Sequence, residues 1–125
     1  MPTVLTSVNP TTLYVSRGDS FIVRCTVKSY STAAAVNIAG FTPWLTVKRN
    51  PADDDVDALF QIKGTLVSSG TTGICTFAIT SAETTTIPGT YYYDIELTDG
   101  TNVKTVVPTS GFIIKWDTTR TTATS

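Results

Sequence analysis

Histidine is absent from this 125-residue chain, and charged residues make up only 15% of it. Without histidine, Ser-His-Asp and Cys-His catalysis, histidine acid–base chemistry and most zinc sites are excluded. The eight glycines stand singly in predicted turns, so the sequence has no glycine-rich loop that could cradle a phosphate. We therefore expect a protein that is not an enzyme and that uses no cofactor and no metal.

Long apolar runs and a strong net charge are lacking as well. No apolar stretch approaches the roughly 20 residues that a membrane-spanning helix needs, and the opening Met1-Pro2-Thr3-Val4-Leu5 does not resemble a secretory leader. The formal net charge of −1 provides no broad electrostatic surface for nucleic acid or anionic lipid. We expect neither nucleic acid nor a membrane as partner, and synthesis in a cytoplasm without a cleaved leader.

Threonine makes up about a fifth of the residues, more than all charged residues together. Apolar residues alternate with polar ones in short runs. Threonine suits β-strands, and runs of period two separated by turn signals such as Asp99-Gly100 indicate a sandwich or barrel. About seven such strands predict an all-β, immunoglobulin-like β-sandwich, with one domain at residues 1–117 and a polar C-terminal tail at residues 118–125. The predicted core consists of Phe21, Val23, Val27, Leu45, Val47, Phe77, Ile79, Tyr93, Ile95 and Leu97.

Cys25 and Cys75, the two cysteines, fall on inward positions of the predicted second and fifth strands. Those strands are neighbours in one sheet of an immunoglobulin-like fold, whereas the antibody disulfide joins the second and sixth strands across the two sheets. Two buried free thiols are therefore favoured over a disulfide.

The carboxylate cluster Asp53, Asp54, Asp55 and Asp57 has two interpretations. Calcium binding would use its oxygen ligands, but the spacing does not match an EF-hand loop. A solvated loop, or one helical turn capped by these carboxylates, is the favoured interpretation. The tripeptide Arg17-Gly18-Asp19 is predicted to be a turn that leads into a strand.

The aromatic residues suggest where the domain meets other molecules. Trp44 is expected in the core of the third strand, as in immunoglobulin domains. Trp116 either covers the open edge of the core or meets a neighbour, and Tyr92 is expected to point outward, as suits an interface. The predicted interface, to which the tail contributes by docking onto a neighbouring subunit, comprises Tyr92, Trp116, Asp117, Thr118, Thr119 and Arg120.

Three blocks of sequence, in this order and spacing, resemble the amino-terminal Ig-like domain of the phage baseplate upper protein family, which also begins many tail-fibre proteins. The first block is Arg17-Gly18-Asp19-Ser20-Phe21. The second runs from Trp44 to Pro51 and continues through the acidic residues to Gln61. The third runs from Pro88 to Leu97, and Asp117-Thr118-Thr119-Arg120 resembles the closing segment.

This resemblance implies a structural virion protein of a tailed phage, an adaptor or assembly module in the baseplate or tail fibre. Its partners would be other virion structural proteins and copies of itself, with a trimer favoured, and the protein would be assembled in the host cytoplasm. The alternatives are a capsid decoration protein and a carbohydrate- or receptor-binding module.

Overall fold

The computed structural model describes residues 3–5, 12–28 and 34–116. Its strands are β1 (Thr3–Leu5), β2 (Leu13–Ser16), β3 (Phe21–Thr26), β4 (Thr42–Lys48), β5 (Phe60–Lys63), β6 (Thr65–Leu66), β7 (Ile74–Ile79), β8 (Gly89–Thr98) and β9 (Val103–Lys115). Short 3-10 turns lie at Asp55–Asp57 and Val67–Gly70, and one helical turn, α1, lies at Ser81–Thr84. Within this part of the chain, no helix is long and apolar enough to cross a membrane.

The strands form two sheets that face each other. One sheet has the order β1-β3-β7-β6, and the other has the order β2-β9-β8-β4-β5. Seven of the described strands have four or more residues. The all-β, immunoglobulin-like sandwich predicted from the sequence is thus confirmed.

Alternation along the strands decides which side chains lie between the sheets. In β8, Tyr91, Tyr93, Ile95 and Leu97 are buried, whereas the residues between them stay half-buried on the outer face. Of the ten residues predicted for the core, nine are buried. Phe21 is the exception: it is only partly buried and packs against the edge of the core, since it opens β3 at one end of the sheet.

Trp44 is not in the core, and the prediction for it is wrong. Its neighbour Leu45 and the next alternate residue Val47 are both fully buried. Because side chains in a strand alternate between faces, Trp44 lies on the outer face of β4, half-buried, between Lys63 of β5 and Glu96 of β8. Strand β4, the third strand of the sequence prediction, therefore has aliphatic residues in the core and the tryptophan outside.

Strand β9 continues through Pro108, although a proline has no amide to donate to the hydrogen bonds of a sheet. Pairing with β8 shifts register twice, between Tyr93 and Ile95 and again between Ile95 and Glu96. Such shifts are β-bulges, which place extra residues on one strand and bend it. Pro108 lies in this irregular stretch, where it need not donate a ladder hydrogen bond, so the strand carries on.

The chain crosses from one sheet to the other at Gly64. β5 pairs with β4 in the five-stranded sheet, and β6, one residue later, pairs with β7 in the four-stranded sheet. A Cβ at Gly64 would lie 2.6 Å from the Phe77 ring and 2.8 Å from the Thr76 carbonyl oxygen. Only glycine fits this close approach of the crossing to the core.

Cys25 and Cys75 are direct partners across β3 and β7 of the same sheet, and both are free and buried. The favoured interpretation of two buried thiols is confirmed. A hydrogen bond with Cys75, together with burial, raises the pKa of the Cys25 thiol above its ordinary value.

We expect the two thiols to stay unmodified by a thiol-specific alkylating reagent in the folded protein, because the thiolate is the reactive form and neither sulfur is exposed. Intact mass after a timed reaction measures this, with the same reaction in guanidinium as control. Two adducts in the denatured protein and none in the native protein are expected. Rapid native labelling, or a native mass two hydrogens lighter than the reduced chain, would contradict the assignment.

Candidate interaction surface at one end of the sandwich

The structure describes two of the six predicted interface residues, Tyr92 and Trp116. Tyr92 is half-buried on the outer face of β8, as predicted, and Trp116 follows β9 with 60% of its surface exposed. Asp117, Thr118, Thr119 and Arg120, with the rest of the tail at residues 118–125, lie outside the described residues. Tyr92 and Trp116 line two different depressions.

The depression around Tyr92 is small and lies on the outer face of the five-stranded sheet. Thr46, Lys48 and Asp94 are among the residues that line it. Burial, and then the nearby Glu96 carboxylate, raises the pKa of Asp94 to about 6. This face therefore carries a partly desolvated carboxyl group, which is a costly group to cover with a partner.

The acidic loop, residues 53–57, projects where β4 passes into β5. Its turn is closed by hydrogen bonds from the Asp57 amide to the Asp54 carbonyl oxygen at 2.9 Å and from the Ala58 amide to the Asp55 carbonyl oxygen at 3.1 Å. Lys48 Nζ anchors the loop, 2.9 Å from an Asp55 carboxylate oxygen and 2.7 Å from the Asp53 carbonyl oxygen. The predicted helical turn is confirmed.

The carboxylates of the acidic loop play a different part from the one predicted. Asp54 stands at the cap position, but its side chain makes no capping hydrogen bond, and Asp55 pairs with Lys48 instead. No group of three potential metal ligands is found in the described part of the chain. At the tip, Val56 is 88% exposed between two acidic neighbours.

A second depression, which we call the end cleft, lies at the same end of the sandwich. It is lined by Arg17, Arg49, Thr86, Ile87, Pro88 and Trp116. These residues follow β2, β4 and β9 or precede β8, so four neighbouring strands of one sheet position them. Ile87 is 68% exposed, which gives the cleft an apolar surface beside two guanidinium groups.

Backbone contacts hold the end cleft in shape. The Arg17 amide donates to the Lys115 carbonyl oxygen at 2.8 Å, and Arg17 Nε donates to the Thr86 carbonyl oxygen at 3.0 Å. Gly18 adopts a left-handed φ of 85°, which confirms the predicted turn and explains the glycine. One arginine of the cleft is therefore fixed by the turn after β2 and by the segment before β8.

The segment between β7 and β8 is fixed by side-chain hydrogen bonds. The Thr80 amide donates to Glu83 Oε1 at 2.8 Å, which starts α1. Buried Thr84 donates its hydroxyl to the Asp19 carbonyl oxygen at 2.7 Å. The Tyr91 hydroxyl donates to the Ile87 carbonyl oxygen, as the tyrosine corner of immunoglobulin domains does. These bonds position Ile87 in the end cleft.

The arginines of the end cleft have no carboxylate partner among residues 12–28 and 34–116, where Lys48–Asp55 is the ion pair found. Sequence reasoning missed Arg49 and Ile87. The signal for Arg49 was its place just after a strand, and the signal for Ile87 was the Ile-Pro-Gly sequence before β8. Only the strand order shows that Arg49 and Ile87 lie in the same depression as Trp116.

Tyr14 extends the exposed aromatic surface next to this end. It is 60% exposed on β2, and Lys115 Nζ lies 5.0 Å from the centre of its ring. Tyr14, Ile87 and Trp116 are three of the six large apolar side chains that are exposed in the described part of the chain. Half of these exposed apolar side chains therefore lie in β2, just before β8 or just after β9.

The sequence matches no protein family and no curated protein. Among solved structures, the fold is similar to the N-terminal domain of phage TP901-1 ORF48, with a TM-score of 0.53, 10% identity, and 93% of this chain and 96% of that chain covered. A weaker match is AggA, the major subunit of aggregative adherence fimbriae type I from Escherichia coli, with a TM-score of 0.28, 12% identity, and 87% and 91% covered. The first likeness shows a shared fold, and the second carries no structural argument.

Proposed function

We propose that this chain is a structural assembly module of a tailed-phage virion, placed in the baseplate or tail fibre, with no catalytic activity. The observation that carries the proposal is the end cleft, where exposed Ile87 and Trp116 stand beside two arginines. Exposed apolar patches with aromatic and arginine residues are typical of protein–protein interfaces.

Two further observations support a phage origin. The three sequence blocks follow the order of the baseplate upper protein family, and the fold is similar over nearly the whole of both chains to the phage TP901-1 ORF48 N-terminal domain. The partners would then be other virion proteins and copies of this chain. A trimer is the favoured assembly, on the strength of the family resemblance.

Trp116→Ala should lower incorporation of the chain into phage particles by about thirtyfold or more, because truncation of a central interface tryptophan commonly costs about 2 kcal/mol or more of binding. The melting temperature should stay nearly unchanged, since this side chain is 60% exposed. Quantitative mass spectrometry of purified particles, from cells that supply the variant as the only copy, measures the incorporation.

Val103→Ala is the matched control, because Val103 is 63% exposed in the β8–β9 hairpin at the other end of the sandwich. It should incorporate normally. Normal incorporation of the Trp116 variant would remove the end cleft from the interface, and absence of the wild-type chain from particles would reject the proposed function.

The second candidate is a carbohydrate- or receptor-binding module, favoured by exposed Trp116, since aromatic rings can stack on sugars. Binding of the isolated chain to a glycan array, lost in Trp116→Ala, would favour this candidate. A capsid decoration protein would instead be found on particles that have capsids but no tails.

A further inference from the structure

The acidic loop and the end cleft carry charges of opposite sign. The loop presents Val56, 88% exposed, between two aspartates in the sequence, and the cleft presents Ile87 and Trp116 together with the two arginines Arg17 and Arg49. Asp54 and Asp57 are exposed and lie outside the ion pair with Lys48. Each surface therefore offers an apolar centre and charges of one sign, and the signs are opposite.

The two surfaces lie at one end of the sandwich but toward opposite edges of the five-stranded sheet. The acidic loop connects β4 to the edge strand β5, and the cleft extends from the end of β2, the opposite edge strand, past β9 and β8 to Arg49 after β4. A second copy placed edge to edge, with its strands in the same direction, brings its acidic loop to the cleft of the first. Such a head-to-tail contact closes into a ring when the rotation between copies allows it.

We propose that the acidic loop of one copy docks into the end cleft of the next, so that this contact builds a cyclic homo-oligomer. Val56 packs against Ile87 and Trp116, and Asp54 and Asp57 pair with Arg17 and Arg49 of the neighbour. The inference rests on the proposed assembly function and names a second copy of this chain as the occupant of the cleft.

Charge reversal tests the contact in the full chain by sedimentation equilibrium. Arg49→Glu and Asp57→Arg should each weaken self-association by at least about tenfold in the dissociation constant, because each puts like charges together. The double variant that carries both changes should recover wild-type association, since the pair is restored with exchanged signs. Arg24→Glu, on the outer face of β3, is the matched control and should associate like wild type.

Each other outcome overturns the contact. If the wild-type chain stays monomeric throughout the concentration range, or if Arg49→Glu leaves its association unchanged, the end cleft does not take part in self-association. Failure of the double variant to recover means that the two residues do not meet. If the oligomer is lost only when residues 117–125 are deleted, the tail and not the acidic loop occupies the cleft. In all these cases, normal incorporation of the wild-type chain into particles would still support the proposed assembly function.

Discussion

Phe77→Ala should lower the free energy of unfolding by about 3–5 kcal/mol, the largest effect that we expect from a single truncation in this chain. Phe77 is fully buried on β7 between the two sheets. Structure around a truncated core ring relaxes only partly, and this ring packs against the backbone at Gly64, where the chain changes sheets. The truncation therefore leaves a cavity in addition to removing apolar contacts. Urea unfolding followed by tryptophan fluorescence measures the loss.

Ile22→Ala is the control for this prediction. Ile22 lies on the adjacent strand β3 but is 49% exposed on the outer face, so its truncation should cost less than about 1 kcal/mol. Equal losses for the two variants would mean that the faces of the four-stranded sheet are assigned the wrong way round.

Gly73→Ala should cost about 3 kcal/mol of unfolding free energy, since two penalties act at one residue. The φ of Gly73 is +74°, in the left-handed region, and an added Cβ would lie 2.8 Å from the carbonyl oxygens of both Val27 and Val36. These are backbone atoms. The Val27 amide also donates to the Gly73 carbonyl oxygen at 2.7 Å, so relief of the clash would break a hydrogen bond. The same urea titration measures this variant.

Gly100→Ala separates the two penalties. Gly100 has a φ of +93° in the β8–β9 hairpin, with no atom within 4 Å of an added Cβ. Only the backbone strain of about 1 kcal/mol should remain there. Equal losses at both glycines would show that the contact with the two carbonyl oxygens contributes nothing.

The sequence predicted the core well because its signal is local. In β3, β7 and β8 every second side chain is buried. Because a strand has only two faces, one buried residue shows which face each of its neighbours in the strand occupies. The analogy with immunoglobulin domains, which predicts a core tryptophan, fails at Trp44, because alternation with the buried Leu45 and Val47 puts this side chain on the outer face.

The end cleft could not be predicted in the same way because its residues are far apart in the sequence. Arg17, Arg49 and Trp116 meet only because the strand order puts the ends of β2, β4 and β9 at one end of the sheet. Alternation shows which face a residue occupies, but not which strands are neighbours. The interface prediction therefore includes Trp116, for its position at the end of a strand, but not the arginines that lie beside it.

The parallel pairing of β2 with β9 has a mechanical consequence. Leu13 pairs with Phe112 and Ser16 pairs with Lys115, so strands from opposite ends of the sequence lie side by side and run in the same direction. Tension applied to the two termini, once the three-residue pairing of β1 has given way, pulls β2 and β9 past each other along their length. All their hydrogen bonds then bear the load together instead of opening one at a time, so the domain should resist extension as a shear clamp.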